Sequence, residues 1–262
     1  KEEGRLDQPV DVAIDFTNIQ YYGDKNDNMV VETQPKNGTT HAYQFATIKI
    51  VSGGEHYTLK ALPVNKFSNK RDIVEELLDH AEKHIEIRRV YADRGFFSGK
   101  IINLFQERNQ KFIMPAVRNQ KVKQFLEEEE APAIVRYTMK GKETSTFNLA
   151  IKKPENEDDP KPFATNCTQL EILGNNLFEL YGRRWDIETG YRVQKNNFYP
   201  KTTSKNYNVR LFYFLFSQLL YNTWTLTNVK ISLHLHDEIR EEKEITAQEF
   251  VTKFFQAFLD YG

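Results

Sequence analysis

DVAIDFTN, residues Asp11–Asn18, alternates in character: Val12, Ile14 and Phe16 fall on one face, Ala13, Asp15 and Thr17 on the other. A period of two predicts a strand with a core side and a polar side. Downstream, HAYQFATIKIVS (His41–Ser52) and HYTLKALPV (His56–Val64) are expected to form a hairpin turning at Gly53-Gly54, a pair that tight primed turns favour. Asn69 can cap a helix in which Ile73, Val74, Leu77, Leu78 and Ala81 recur at helical spacing. EIRRVYAD (Glu86–Asp93) reads as a strand, SGKIINLFQERN (Ser98–Asn109) as a helix capped by Ser98, and KFIMPAV (Lys111–Val117) as a strand. Three strands, helix, strand, helix, strand is the order of a mixed α/β sheet, an antiparallel trio followed by parallel strands joined through helices.

The remaining chain changes character after Val117. EEEE (Glu127–Glu130) precedes AIVRYTMKGKETSTFNLAIKK, two strand-like runs around Lys140-Gly141-Lys142, and PENEDDPKP (Pro154–Pro162) reads as a solvated loop. Residues 118–162 are therefore expected to be a β-rich insertion, flanked by a first part of the core (1–117) and a closing helical part (163–262). Three helical segments are expected there: Leu170 to about Asn197, about Asn208 to Asn228, and Thr246–Leu259. Thr246 and Glu249 stand at capping-box spacing, and Phe250, Phe254, Phe255 and Phe258 share one face.

Composition bounds the function. The chain has 262 residues with 36 Lys+Arg, 37 Asp+Glu, a formal charge of −1, 39% hydrophobic and 13% aromatic residues. That is a globular chain of one or two domains, large enough to need no staples. One cysteine, Cys167, excludes an internal disulfide and a cysteine-built zinc site, and suggests a reducing compartment. The longest stretch without charge, Leu211–Val229, includes Ser217, Gln218, Asn222, Thr223, Thr225, Thr227 and Asn228, so a buried helix is expected and not a membrane span. The chain begins at Lys1 and not Met, which suggests a fragment.

The net charge conceals an asymmetry. Tyr181–Arg210 carries seven cations against two acids, and Glu127–Asp159 carries five cations against nine acids. A near-neutral total therefore does not exclude a nucleic-acid partner.

Within LYGRRWDIETGYRVQKNN (Leu180–Asn197), Tyr181, Arg184, Glu188 and Lys195 would fall inside a sector of about 60° on one continuous helix, at about 100° per residue. Such charges also suit a solvated face with salt bridges three and four residues apart, although Lys195 is too far from Glu188 for a simple neighbour pair.

Tyr, two residues, Arg, three residues, Glu, six residues, Lys is the signature of one branch of the DDE transposases, the enzymes of bacterial and archaeal insertion sequences. The chain resembles that family at two further places, Asp15-Phe16-Thr17 on the first strand and Asp93-Arg94-Gly95-Phe96 after the fourth. The resemblance spans roughly Asp11 to Asn228. It implies an RNase H-like catalytic core in which Asp15, Asp93 and Glu188 are the catalytic acids and hold two Mg²⁺ or Mn²⁺ ions. Asp15 would bridge both ions, with Asp93 and Glu188 each completing one. Hard cations want carboxylate oxygens, and two of them can hold the attacking and leaving oxygens of phosphoryl transfer. Tyr181, Arg184 and Lys195 would contact DNA, and Thr17 and Gly95 would support the acids. The partners implied are transposon ends and target DNA, bound by a homodimer, in the cytoplasm of a prokaryote, without membrane or organic cofactor. Full-length relatives carry a helical DNA-binding domain, and none precedes Asp11. Two rivals remain: an RNase H-like nuclease without strand transfer, and a domesticated transposase that only binds DNA.

Other candidates carry less. His80 and His84 read as a surface pair, and His234 and His236 as part of a linking run. Asp11, Asp24 and Asp27 compete with Asp15, but Asp15 is mid-strand and leads Thr17. Cys167 reads as a small buried hydrophobe, Trp185 as core, and Gly95 equally well as an ordinary turn glycine.

Overall fold

The computed structural model describes residues 8–52, 56–154, 159–168, 177–240 and 242–261. In chain order the strands are β1 (Val10–Gln20), β2 (Val31–Lys36), β3 (Thr39–Ile50) and β4 (Thr58–Val64), then β5 (Ile87–Ala92), β6 (Phe112–Pro115), β7 (Ala133–Met139), β8 (Ser145–Lys152) and β9 (Lys161–Thr165). The helices are α1 (Lys70–Glu82), α2 (Gly99–Glu107), α3 (Gln120–Glu128), α4 (Leu177–Gly182), α5 (Trp185–Val193), α6 (Tyr207–His236) and α7 (Ala247–Tyr261). The fold is α/β, and the described residues form nine strands in a mixed sheet. The chain divides into two compact units, one of Lys1–Asp15 with Ser68–Trp185, the other of Phe16–Phe67 with Asp186–Gly262.

In the first unit the strand order is β1-β5-β6-β9-β8-β7. β1, β5 and β6 run parallel, while β6, β9, β8 and β7 pair antiparallel in succession. Strands β7 to β9 thus extend the sheet beyond β6. Val12, Ile14, Val90, Tyr91, Phe112 and Ile113 are buried, as expected for central strands covered on both faces. Asn69, Ser98 and Asn119 cap α1, α2 and α3, each accepting from a backbone N–H of the first turn. Ile73, Val74, Leu77, Leu78 and Ala81 are the buried face of α1, as the spacing predicts.

In the second unit β3 pairs antiparallel with β2 and with β4. Phe45 stacks on Phe214 of α6 with ring centroids 3.9 Å apart, inside a cluster with Ile19, Tyr21, Val30 and Tyr43. Helix α6 buries a polar row. Gln218 donates to Gln194 Oε1 and accepts from Thr58 Oγ1, and Gln194 donates to Ser217 Oγ, each at 2.7 Å. Satisfied amides of this kind fit a core helix. No helix among the described residues is long and apolar enough to cross a membrane.

Several elements differ from their sequence expectation. β2 lies in a stretch with no strand expected; it turns into β3 at Asn37-Gly38, both at positive φ (51° and 79°), the conformation that Asn-Gly adopts readily. The segment 118–162 also contains α3. Helix α6 continues to His236, where Asp237 at φ 56° caps it, so His234 and His236 belong to its last turn. The turn at Gly53-Gly54, residues 155–158 of the acidic loop and the expected helix start at Leu170 lie outside the described residues.

Candidate active site

Ile14 of β1 pairs in parallel register with Ala92 of β5. Asp15 and Asp93 each follow one member of that pair, so two carboxylates stand side by side. Asp93 stands just past the carboxyl end of β5, where ligand sites of open α/β sheets form, and Asp15 stands beside it in mid-β1. Asp15 is buried, whereas Asp93 is half-buried and caps a short 3₁₀ turn, Arg94–Phe96, by accepting from Arg94 N at 2.7 Å. A Cβ on Gly95 would rest 3.7 Å from Asp93 Oδ2, ordinary contact, so packing alone does not demand glycine there.

Two residues of the expected signature join this pair. Arg184, 5% exposed, lies 3.3 Å from Asp15 Oδ2 through Nη1. Its guanidinium also lies 5.5 Å from the Tyr181 ring and 5.3 Å from the Trp185 ring. Tyr181 donates to Ala92 O at 3.4 Å. Burial raises the Tyr181 pKa, the Arg184 charge opposes that rise, and Asp93 and Asp15 add to it. The phenol is therefore a protonated donor beside both carboxylates.

The signature does not lie on one helix. α4 ends at Gly182, Arg183 and Arg184 form a turn, and α5 begins at Trp185. Lys195 sits beyond α5 in a π-helical turn, Gln194–Phe198. The sector of about 60° deduced for an unbroken helix at about 100° per residue therefore does not apply. Trp185 is 58% exposed and not in the core, because the turn before α5 resets the helical phase that had pointed it inward.

Thr17, Glu188 and Lys195 belong to the second unit. Thr17 is buried on β1, and Lys195 Nζ donates to Asn18 O at 2.9 Å. Glu188 is half-buried on α5, whose mounting sequence reasoning missed. Lys49 of β3 is 1% exposed, with its ammonium 4.3 Å from the Tyr191 ring centroid and 4.9 Å from that of Tyr221. Thr47 and Tyr191 share a short hydroxyl hydrogen bond. A Cβ on Gly190 would meet Tyr221 Oη at 3.0 Å and Lys49 Nζ at 3.3 Å, so glycine permits this close approach. The missed signal was Lys49 itself, a cation on the strand face shared with Tyr43, Phe45 and Thr47.

Asp11, the rival first-strand acid, is fully buried. It accepts from Arg88 Nε at 2.7 Å, Tyr91 Oη at 3.0 Å and Arg183 Nη1 at 3.0 Å. Burial would raise its pKa, but the hydrogen bond and charge of Arg88, the charge of Arg89 and the Tyr91 hydroxyl outweigh it and hold the carboxyl below the usual range. Cys167 is buried, and His80 in the last turn of α1 lies beside His84, just past the helix end, with ring centroids 4.9 Å apart.

The family model described as the transposase DDE domain matches residues 7–223. The chain belongs to this family. The catalytic fold is matched by a piggyBac transposase, solved by cryo-electron microscopy as a synaptic complex with hairpin DNA. That likeness has a TM-score of 0.68 at 12% identity, and covers 95% of this chain and 52% of that one. The chain thus spans about half the length of that transposase, and identity this low speaks for the fold alone. Comparison with curated proteins gives no match.

For a DDE domain the donor chemistry of this carboxylate pair is informative. Asp15 and Asp93 offer hard carboxylate oxygens, the ligands that Mg²⁺ and Mn²⁺ prefer. Among the described residues no group of three or more His, Cys, Asp and Glu gathers as a metal site. Arg184 meanwhile supplies positive charge to Asp15.

Proposed function

We propose that the chain is the catalytic domain of a DNA transposase that cuts and joins DNA strands by metal-dependent phosphoryl transfer. The observation that carries this reading is the Ile14–Ala92 register, which sets Asp15 beside Asp93 in a chain of the DDE family. Asp15, Asp93 and Glu188 are the catalytic acids and would hold two Mg²⁺ or Mn²⁺ ions. Bound there, such ions would neutralise charge developing between the attacking and leaving oxygens.

The chain's own residues have separate tasks. Arg184 and Lys195 hold phosphates next to the scissile bond, and Tyr181 donates or stacks on the same strand. Arg184, 3.3 Å from Asp15 Oδ2, orients that carboxylate beside Asp93. Thr17 and Gly95 border the acids. The partners are transposon ends and target DNA, handled by a homodimer on paired ends. The Tyr–Arg–Glu–Lys spacing favours the branch that serves bacterial and archaeal insertion sequences, which work beside the nucleoid. The domain layout accompanying this reading is a core split between 1–117 and 163–262 around the strand-rich 118–162.

Mg²⁺-dependent nicking of DNA carrying the element's own ends tests the reading, with the wild type set against Glu188→Gln. Nicking by the wild type, lost in the variant, is the expected result. Equal nicking by both would remove Glu188 from the site. Joining of the cut 3′ end to a second duplex separates a transposase from a nuclease that only hydrolyses.

A further inference from the structure

A groove of about 440 Å³ opens within the second unit, lined by the second half of β1, by β2 and β3, and by Lys195. Four of its lining residues are carboxamides: Asn18, Gln20, Gln34 and Gln44. Its charges, Glu32 against Lys36 and Lys195, nearly offset one another. A track for the phosphate backbone would be dominated by cations, and Glu32 would repel a phosphate. Neutral groups bearing both donors and acceptors suit the edge of a base instead.

Two of the amides are fixed against each other. Gln44 Nε2 donates to Asn18 Oδ1 at 3.0 Å across neighbouring strands. That bond commits one donor and one acceptor. Asn18 Nδ2 and Gln44 Oε1 are the remaining donor and acceptor of the joined pair, and both side chains line the groove. Adenine presents the complement, an acceptor at N7 beside a donor at N6. Asn18 lies three positions beyond Asp15 on β1, and its backbone carbonyl holds the Lys195 ammonium at 2.9 Å. The Asn18 side chain follows the face of β1 opposite Asp15, so the tie to the cleavage point is Lys195, which lines the groove and on the transposase reading holds a phosphate next to the scissile bond.

We infer that this carboxamide groove is a base-reading subsite, in which Asn18 and Gln44 select an adenine-type edge in DNA flanking the cleavage point. The inference rests on the transposase reading and adds to it a source of sequence selection inside the catalytic domain. A groove of this size holds a nucleotide-sized ligand.

The test is retention of a pool of DNA randomised around the cleavage position, without divalent metal, followed by sequencing of the bound fraction. The wild-type chain is expected to enrich adenine at one position about tenfold. Asn18→Ala and Gln44→Met should flatten that position to about twofold or less, with both variants checked for unchanged thermal unfolding. Gln44→Glu supplies a change of sign. A carboxylate accepts from the Asn18 amide and flips it, so two acceptors face the groove and enrichment should move toward an amino-bearing edge such as cytosine N4. An unchanged adenine profile in the folded variants overturns the inference and leaves the transposase reading standing. So does DNA retention by the wild type with no base enrichment at any position. A wild-type chain that retains no DNA overturns both.

Discussion

Asp11 and Asp15 occupy the same face of β1, four residues apart, and both are buried, yet their surroundings assign them opposite work. Asp11 is enclosed by Arg88, Tyr91 and Arg183, all hydrogen-bonded to it at 3.0 Å or less. Asp15 stands where β1 runs past β5, with Asp93 as its neighbour and Arg184 at 3.3 Å. The adjacent arginines Arg183 and Arg184 divide between them, one to each aspartate. A carboxylate enclosed by three fixed donors stabilises the fold; a carboxylate set beside a second one has the pairing that metal-dependent chemistry uses. Burial alone does not distinguish the two cases.

That contrast can be broken in several ways. Asp93→Asn should lower nicking by about 1,000-fold or more, roughly 4 kcal/mol, while barely moving the urea midpoint, since an amide still caps the turn at Arg94. A nicking rate within a few fold of wild type would mean that Asp15 has no working neighbour. Asp11→Ala should cost about 2–3 kcal/mol of folding stability, by leaving the buried Tyr91 hydroxyl unpaired and removing the partner of two half-exposed arginines, read by urea unfolding. A loss under about 1 kcal/mol would mean that the Asp11 network is ornamental.

The sign with pH is fixed as well. The folded carboxyl of Asp11 lies below its ordinary value of 3.8, so its stabilisation is complete at neutral pH and fades as pH falls through the acid range below that value. The stability gap between wild type and Asp11→Asn should therefore be full at neutrality and shrink in acid. A gap that widens in acid contradicts the assignment. The arginines give the smaller effects. Arg184→Ala should reduce nicking about 10- to 100-fold through lost phosphate contact. Arg183→Ala, whose guanidinium is partly exposed, should cost about 1 kcal/mol of stability and leave nicking unchanged.

Much of this arrangement was legible in the sequence because it rests on short-range signals. The alternation in DVAIDFTN, the caps at Asn69 and Ser98, and the strand-helix order gave the parallel β1-β5-β6 core that sets Asp15 beside Asp93. Strand β2 went unrecognised because VETQPK is polar and mostly exposed; only Asn37-Gly38 marked its turn. The continuity of the signature helix was misjudged for a different reason. Charge spacing reports which residues would share a face on an ideal helix, and it is blind to the turn at Arg183-Arg184 and to the π-helical turn at Gln194–Phe198. Lys49 was missed because a lysine in a strand is ordinarily read as an edge or surface residue; its burial between two tyrosine rings is a product of tertiary packing.

The most direct measurement is Mg²⁺-dependent nicking by Asp15→Asn and Asp11→Asn in parallel, each rate divided by the fraction of folded protein. Asp11→Asn should nick within about threefold of wild type per folded molecule, and Asp15→Asn should fall by about 1,000-fold or more. Equal rates for the two variants, or loss in Asp11→Asn with activity kept in Asp15→Asn, would contradict the assignment of Asp15 to the reaction centre.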